Sequence, residues 1–126
     1  MNKKRPVNLD LMTVRFPITA ITSILHRISG VILFFCIPIL LYFLSCSLSD
    51  QISYDAISAV FESFPIKLLN FLILSALIYH FVAGIRHLIM DVGIGETKMG
   101  GKLGAKVMLF MSILLIVILG VWLWVL

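Results

Sequence analysis

Residues 107–126 read VMLFMSILLIVILGVWLWVL, and this stretch decides the class of fold. Ser112 is its only polar side chain apart from two indole rings, so a helix built from it would be apolar on every side. Such a helix cannot lie on the surface of a water-soluble domain and must face lipid or other helices. The sequence therefore predicts an integral membrane protein.

Two further apolar runs lie upstream, at residues 28–49 and 68–85. At about 1.5 Å per residue the three runs reach roughly 33, 27 and 30 Å, close to the roughly 30 Å of a bilayer's hydrocarbon core. The composition agrees, since 61% of the 126 residues are hydrophobic and only 13% are charged. We predict an all-α fold in a single transmembrane domain, residues 1–126, with three transmembrane helices at about 20–49, 65–91 and 104–126.

The charged residues are divided between the two ends of these spans. The N-terminal segment and the second connection carry Lys3, Lys4, Arg5, Arg15, Arg86, Lys98, Lys102 and Lys106. The first connection carries Asp50, Asp55, Glu62 and only one base, Lys67. The positive-inside rule therefore predicts a cytoplasmic N-terminus and a C-terminus on the far side. No nucleic-acid-binding motif accompanies the net charge of +4, so nucleic acid is not a predicted partner.

The N-terminus carries no recognisable targeting signal, and the glycine-rich second connection carries no recognisable binding motif. The first apolar run begins too late and is too long for a cleavable signal peptide, and no Arg- and Ser-rich transit segment precedes it. This favours a bacterial inner membrane, with a periplasmic C-terminus. The glycine-rich stretch at residues 93–104 lacks a phosphate-binding pattern, and we interpret it as a flexible connector.

A hydroxyl and a guanidinium converge at the cytoplasmic end of the first helix. Ser23 and Arg27 are four residues apart and share a face, with His26 one position around the helix. This pair could hold a polar ligand oxygen at the membrane boundary, because Arg27 would supply charge-assisted hydrogen bonds. Equally, Arg27 could be an orienting side chain that reaches the interface, with Ser23 bonded to its own helix. Ser29 and Gly30 are small enough to admit a neighbouring helix or a flat ligand.

His80 is the ionisable side chain that lies deepest in the second helix. It is six residues inward from Arg86, which places it about 9 Å deeper, and it shares a stripe with Gly84, His87 and Asp91. A buried imidazole is usually either hydrogen-bonded between helices or a metal ligand, most often of haem iron in a redox bundle. The hydrogen-bonded role is the more common of the two, but the absent side chain at Gly84 shifts the balance back toward a metal ligand, because a porphyrin needs room.

The chain offers no obvious second axial histidine for such a haem. His87 lies on the same face of the same helix, and by helix rise His26 is roughly 10 Å shallower than His80. We infer that a second axial ligand would come from another polypeptide, so that haem would sit at a subunit interface. Arg27, His26, Arg86 and His87 would then lie where haem propionates point.

Three stretches resemble the cytochrome b membrane-anchor subunit of succinate dehydrogenase (respiratory complex II), proteobacterial members especially. They are RPVNLDL with RFPITAI at 5–11 and 15–21, SILHRISG at 23–30, and YHFVAGIRHLIMD at 79–91. The combination of Ser-x-x-His-Arg-x-x-Gly with His-x-x-x-Gly-x-Arg-His-x-x-x-Asp is specific, since three spaced histidines rarely occur together in two membrane spans. The third helix resembles the family only in hydrophobicity and position.

The resemblance implies a role for each of these residues. His80 matches the axial ligand of haem b, and a second, small anchor subunit supplies the other ligand and completes the haem-binding bundle. Ser23 and Arg27 match residues that line the ubiquinone site near the iron-sulfur subunit, and His26, Arg27 and His87 lie on the propionate side. The implied activity is electron transfer from succinate to ubiquinone in the tricarboxylic acid cycle and the respiratory chain. The flavoprotein subunit oxidises succinate, and this chain alone has no chemistry on it.

Other readings remain at this stage, among them a purely structural bundle subunit, which would leave His80 unexplained. A haem-free fumarate reductase anchor would have the same helices, and a b-type absorption band would distinguish the two. A small transporter or channel subunit would be expected to carry ionisable groups on several helices or broken segments at the midplane. Here the third helix has none and the second has only His80, which disfavours transport.

Overall fold

The computed structural model describes residues 16–125, which form four α-helices and no strand. The helices are α1 (Ile18–Ser47), α2 (Gln51–Glu62), α3 (Phe64–Asp91) and α4 (Lys98–Trp124). α1, α3 and α4 are long and apolar enough to cross a membrane. The predicted all-α class with three spans is therefore confirmed. The basic residues of the N-terminus and the stretch at 5–11 lie outside the described part of the chain.

α2 is a short helix that the sequence analysis treated only as a connection between spans. Asp50 caps its N-terminus, because a carboxylate oxygen accepts the backbone N–H of Ser53 at 2.8 Å and the Ser53 hydroxyl donates at 3.0 Å. The amide of Gln51 adds a bond to Asp55 one turn later. An aspartate three residues before a serine is a typical N-cap signal, but the 12-residue helix has no long apolar run to draw attention to it.

The glycine-rich connector is shorter than predicted, because α4 begins at Lys98 rather than near residue 104. Thr97 caps the helix by accepting the N–H of Gly100 at 3.0 Å. A Cβ on Gly100 would lie 3.0 Å from the Gly95 carbonyl oxygen, and Gly95 itself has a φ of +81°. These glycines therefore serve a tight turn and the start of a helix, and the prediction of a flexible connector through residue 104 was wrong for its second half.

Small residues hold the three long helices together. α3 runs antiparallel to α1 and α4 and packs against both, and α1 and α4 approach each other where Thr19 contacts Gly101. The buried residues of the bundle are Thr22 and Ser29 of α1, Ala83 of α3, and Gly101, Ala105, Met108 and Ser112 of α4. Small side chains let helix backbones approach closely where lipid gives no hydrophobic drive for association. Large apolar side chains point outward instead, as with Phe34 at 70% exposure.

Removal of the Asp50 cap should loosen the first turn of α2. Hydrogen bonds from Ser53 hold the pKa of Asp50 below its ordinary value of 3.8, so the carboxylate stabilises this turn above that pH and the effect is lost as the pH falls through the lowered pKa. We expect Asp50→Ala to speed amide hydrogen exchange at Ser53 and Tyr54 at neutral pH, whereas Asp50→Asn keeps an acceptor and should exchange more slowly than Asp50→Ala. Identical exchange in the wild type and Asp50→Ala would contradict this role.

Candidate functional site

The His80 imidazole lies between α3 and α1, and its Nδ1 atom is hydrogen-bonded to α1. Nδ1 lies 3.1 Å from the backbone carbonyl oxygen of His26 and 3.1 Å from the hydroxyl oxygen of Ser29. Because a carbonyl oxygen can only accept, Nδ1 must carry the proton and donate it. In the neutral ring the lone pair then lies on Nε2, for which no hydrogen-bond partner exists among residues 16–125. The ring is therefore in the tautomer that can bind a metal through Nε2.

Gly30 provides the space that the His80 ring occupies. A Cβ on Gly30 would lie 3.0 Å from Cε1 of His80 and 3.5 Å from Nδ1. This is tighter than nearly all Cβ contacts in proteins, so a side chain here would require the imidazole to shift by a few tenths of an ångström away from α1. The small size of Ser29 and Gly30 predicts room for a neighbouring helix or a flat ligand. In the structure, the His80 imidazole of the neighbouring helix occupies this room.

Three imidazoles form a row along the interface of α1 and α3. The His26 ring stacks on His80 with centroids 4.2 Å apart and an interplanar angle of 20°, and it lies 5.1 Å from the His87 ring. His26 Nε2 is buried and has no hydrogen-bond partner within the described chain. No three His, Cys, Asp or Glu side chains between residues 16 and 125 are grouped to hold a metal ion. Each imidazole of the row could therefore act singly as a metal ligand or a hydrogen-bond donor, but the described residues do not form a metal-binding cluster.

One prediction about this region was wrong. His26 is not about 10 Å shallower than His80, since their rings are stacked. The estimate assumed that Arg27 and Arg86 lie at one depth, but Arg86 donates to the Gly101 carbonyl oxygen at 3.2 Å, and Gly101 is level with Thr19 at the start of α1. His26 is seven residues further along α1, or about 10 Å deeper than Thr19.

Gly84 lies opposite the His26 ring, and a Cβ there would make an ordinary van der Waals contact, 3.7 Å from His26 Nε2. Arg86 departs from its expected position beside the histidines. Its side chain is directed to α4, and its Nε atom is buried without a hydrogen-bond partner among residues 16–125.

Ser23 and Arg27 lie on α1 beside the face that carries His26. Ser23 is half-buried and Arg27 is exposed, and neither side chain makes a hydrogen bond with another described residue. Within the described residues the guanidinium therefore has no hydrogen-bond partner, and it is available to a ligand or to another subunit. The structure brings His26, His80 and His87 together but leaves Arg27 outside this cluster.

Tyr79 is a further polar link that the sequence analysis did not identify. Its hydroxyl donates to the backbone carbonyl oxygen of Thr22 at 3.0 Å, one helical turn from the bonds of His80. The only signal in the sequence is its place beside His80, because backbone acceptors leave no trace in a residue pattern. Together, Tyr79 and His80 tie α3 to one short stretch of α1.

These features define a multi-pass helical membrane protein with an interfacial histidine whose Nε2 has no hydrogen-bond partner among residues 16–125. Residues 1–119 match the family model of the succinate dehydrogenase/fumarate reductase transmembrane subunit, and the chain belongs to this family. It is 44% identical to the succinate dehydrogenase cytochrome b556 subunit of Coxiella burnetii, over 98% of this chain and 100% of that protein. The proteins of the same name from Rickettsia felis and Paracoccus denitrificans are 33% and 36% identical, covering 94% and 72% of this chain and 92% and 70% of their own lengths. The family resemblance is confirmed.

Loss of the Tyr79 hydroxyl should weaken the packing of α3 on α1. A hydrogen bond between membrane helices contributes about 0.6 kcal/mol on average and about 1.7 kcal/mol at most. We expect Tyr79→Phe to lower the thermal stability of the purified protein in mild detergent by an amount in this range. Tyr54→Phe, at an exposed tyrosine of α2, is the matched control. Equal stability of Tyr79→Phe and Tyr54→Phe would argue against the link.

Proposed function

We propose that this chain is the membrane-anchor cytochrome b subunit of succinate dehydrogenase, which binds haem b and forms part of the ubiquinone reduction site. The observation that carries the proposal is the His80 imidazole, bonded to α1 through Nδ1 and without a partner at Nε2 among residues 16–125. The relatives' names describe them as cytochrome b subunits, which supports the same cofactor here. When bound, haem b supplies a one-electron redox centre within the membrane.

The donor set of this chain fits one axial position of a haem and not two. Two histidines that ligate one iron must approach it from opposite sides, but the rings of His26 and His80 are stacked face to face on one side. His87 lies beyond His26, on the same helix as His80. A second histidine would then come from a second small anchor subunit, which would complete the bundle.

His26, Arg27 and His87 are the groups that this chain offers to the haem propionates. His26 Nε2 is buried and lacks a hydrogen-bond partner within the described residues, so it needs one from outside that part of the chain. In the tautomer with its proton on Nε2, a propionate carboxylate would accept this bond, and the exposed guanidinium of Arg27 would add a charge-assisted hydrogen bond.

Ser23 and Arg27 form this chain's part of the quinone site. A quinone carbonyl oxygen gains negative charge as it is reduced, and a cation held beside it stabilises that charge without reorganisation. Arg27 would supply the charged hydrogen bond and Ser23 a neutral one. The iron-sulfur subunit would close this site on the cytoplasmic side and deliver electrons from the flavoprotein subunit, which oxidises succinate.

The proposed orientation follows the charge distribution. In a bacterial inner membrane, the N-terminus and the connection between α3 and α4 would lie in the cytoplasm, and the C-terminus in the periplasm. The family model also covers fumarate reductase subunits, so a haem-free anchor is the nearest alternative. A reduced-minus-oxidised spectrum of the complex purified in mild detergent, with identification of the co-purifying subunits, distinguishes the two.

Replacement of His80 tests the haem proposal. We expect His80→Ala to abolish or alter the low-spin b-type spectrum of the purified complex, because the iron loses an axial ligand. His87→Ala is the control on the same helix, and it should retain a low-spin spectrum. If His80→Ala kept the wild-type low-spin spectrum, His80 would not be the ligand.

Replacement of Arg27 tests the quinone site. We expect Arg27→Ala to lower quinone reduction about 10- to 100-fold, since a hydrogen bond to a charged group contributes about 1.5–3 kcal/mol. Succinate oxidation measured with an artificial acceptor should be unaffected, because that reaction bypasses the membrane site. Lys67→Ala, at the opposite end of α3, is the control. An equal loss of both activities in Arg27→Ala would contradict the assignment.

A further inference from the structure

We propose that Ser29 is a positioning residue for His80, whose hydroxyl fixes the rotation and tautomer of the imidazole and thereby sets the electron density at Nε2. The inference rests on the proposed function, in which Nε2 of His80 ligates haem iron. It concerns a residue whose side chain does not touch the iron and that neither the family match nor the charge pattern singles out.

The geometry around Ser29 is a closed triangle of polar atoms. The Ser29 hydroxyl donates to the His26 carbonyl oxygen at 2.8 Å, and both of these oxygens lie 3.1 Å from Nδ1 of His80. Because the hydroxyl proton is used on the carbonyl, the Ser29 oxygen is left as an acceptor. The Nδ1–H group is therefore shared between two oxygens, and Ser29 is buried, at 5% exposure.

A purely structural role does not account for this contact. Serines in membrane helices commonly satisfy their hydroxyl on a carbonyl of the preceding turn, as Ser75 and Ser112 do here. Ser29 makes that same bond, which explains why the hydroxyl is tolerated in the bundle. Among these three serines, only Ser29 also contacts a polar side chain of another helix, and that side chain is His80.

Gly30 restricts the same ring from a second direction. A Cβ on Gly30 would be 3.0 Å from Cε1 of the ring, so the Gly30 backbone limits how far the imidazole can move toward α1. The two oxygens contact Nδ1, and the glycine backbone lies close to Cε1. The direction of the Nε2 lone pair is thus set by one short segment of α1.

Acceptors on Nδ1–H make a histidine ligand more basic at its other nitrogen. A more basic ligand stabilises the oxidised metal, so the Ser29 hydroxyl should lower the reduction potential of the haem. In Ser29→Ala, the His26 carbonyl remains as one acceptor, and the ring should stay bound to iron. Its rotation should be less restricted and its basicity lower.

The test compares Ser29→Ala with Ser112→Ala in the assembled complex. We expect Ser29→Ala to retain low-spin haem but to show a more positive midpoint potential and shifted or broadened low-spin electron paramagnetic resonance signals. Ser112 is equally buried, at 1% exposure, and makes the same bond to its own helix without touching a histidine. Ser112→Ala should leave the potential and the signals at their wild-type values.

The isosteric pair Ser29→Thr and Ser29→Val gives a second comparison if Ser29→Ala does not assemble. These variants differ only in a hydroxyl against a methyl group, and we expect the valine variant to have the more positive potential. Wild-type potential and signals in Ser29→Ala, or equal values for the Thr and Val variants, would overturn the inference. Absence of b-type haem from the wild-type complex would instead refute the proposed function.

Discussion

The hydrogen bond from Nδ1 of His80 to α1 is the interaction on which the rest of this site depends. An imidazole inside a bilayer lowers the stability of the fold unless both of its ring nitrogens have a hydrogen-bond partner or a metal. Here one nitrogen is satisfied by the His26 carbonyl and the Ser29 hydroxyl, and the other has no partner among residues 16–125. The close approach of α1 and α3 at Gly30 is a condition for this bond, since any side chain there would displace the ring.

The bundle presents most of its large apolar side chains outward and packs small residues between its helices. The polar atoms left without partners in residues 16–125 include His26 Nε2, in the row of imidazoles between α1 and α3. Covering this row with another chain would bury the remaining polar groups and supply the ligand geometry that stacked histidines cannot provide.

The sequence predicts the spans well because an apolar run of about 20 residues allows few other structures. It also predicts His80 as the central residue of the site, because an ionisable side chain in an apolar span is costly unless it has a partner or a function. It fails on relative depth, because helix rise fixes positions within one helix and not the shift between α1 and α3. Thr19, rather than Arg27, proved to be level with Gly101. Ser29 was missed as a partner of His80 because its acceptor role exists only once the two helices are aligned.

About two turns of α1, residues 23–29, serve both parts of the proposed site. Ser23 and Arg27 lie on one side of this segment, while the His26 carbonyl and Ser29 hold His80 on the other. The distance between the quinone position and the His80 ring is therefore set within a single rigid helical segment rather than across a flexible loop. The Tyr79 hydroxyl bound to Thr22 fixes the same segment from α3. A substitution that tilts this segment should consequently disturb quinone reduction and the haem site together. The substitution of Arg27 alone should affect quinone reduction, and that of Ser29 alone should affect the haem.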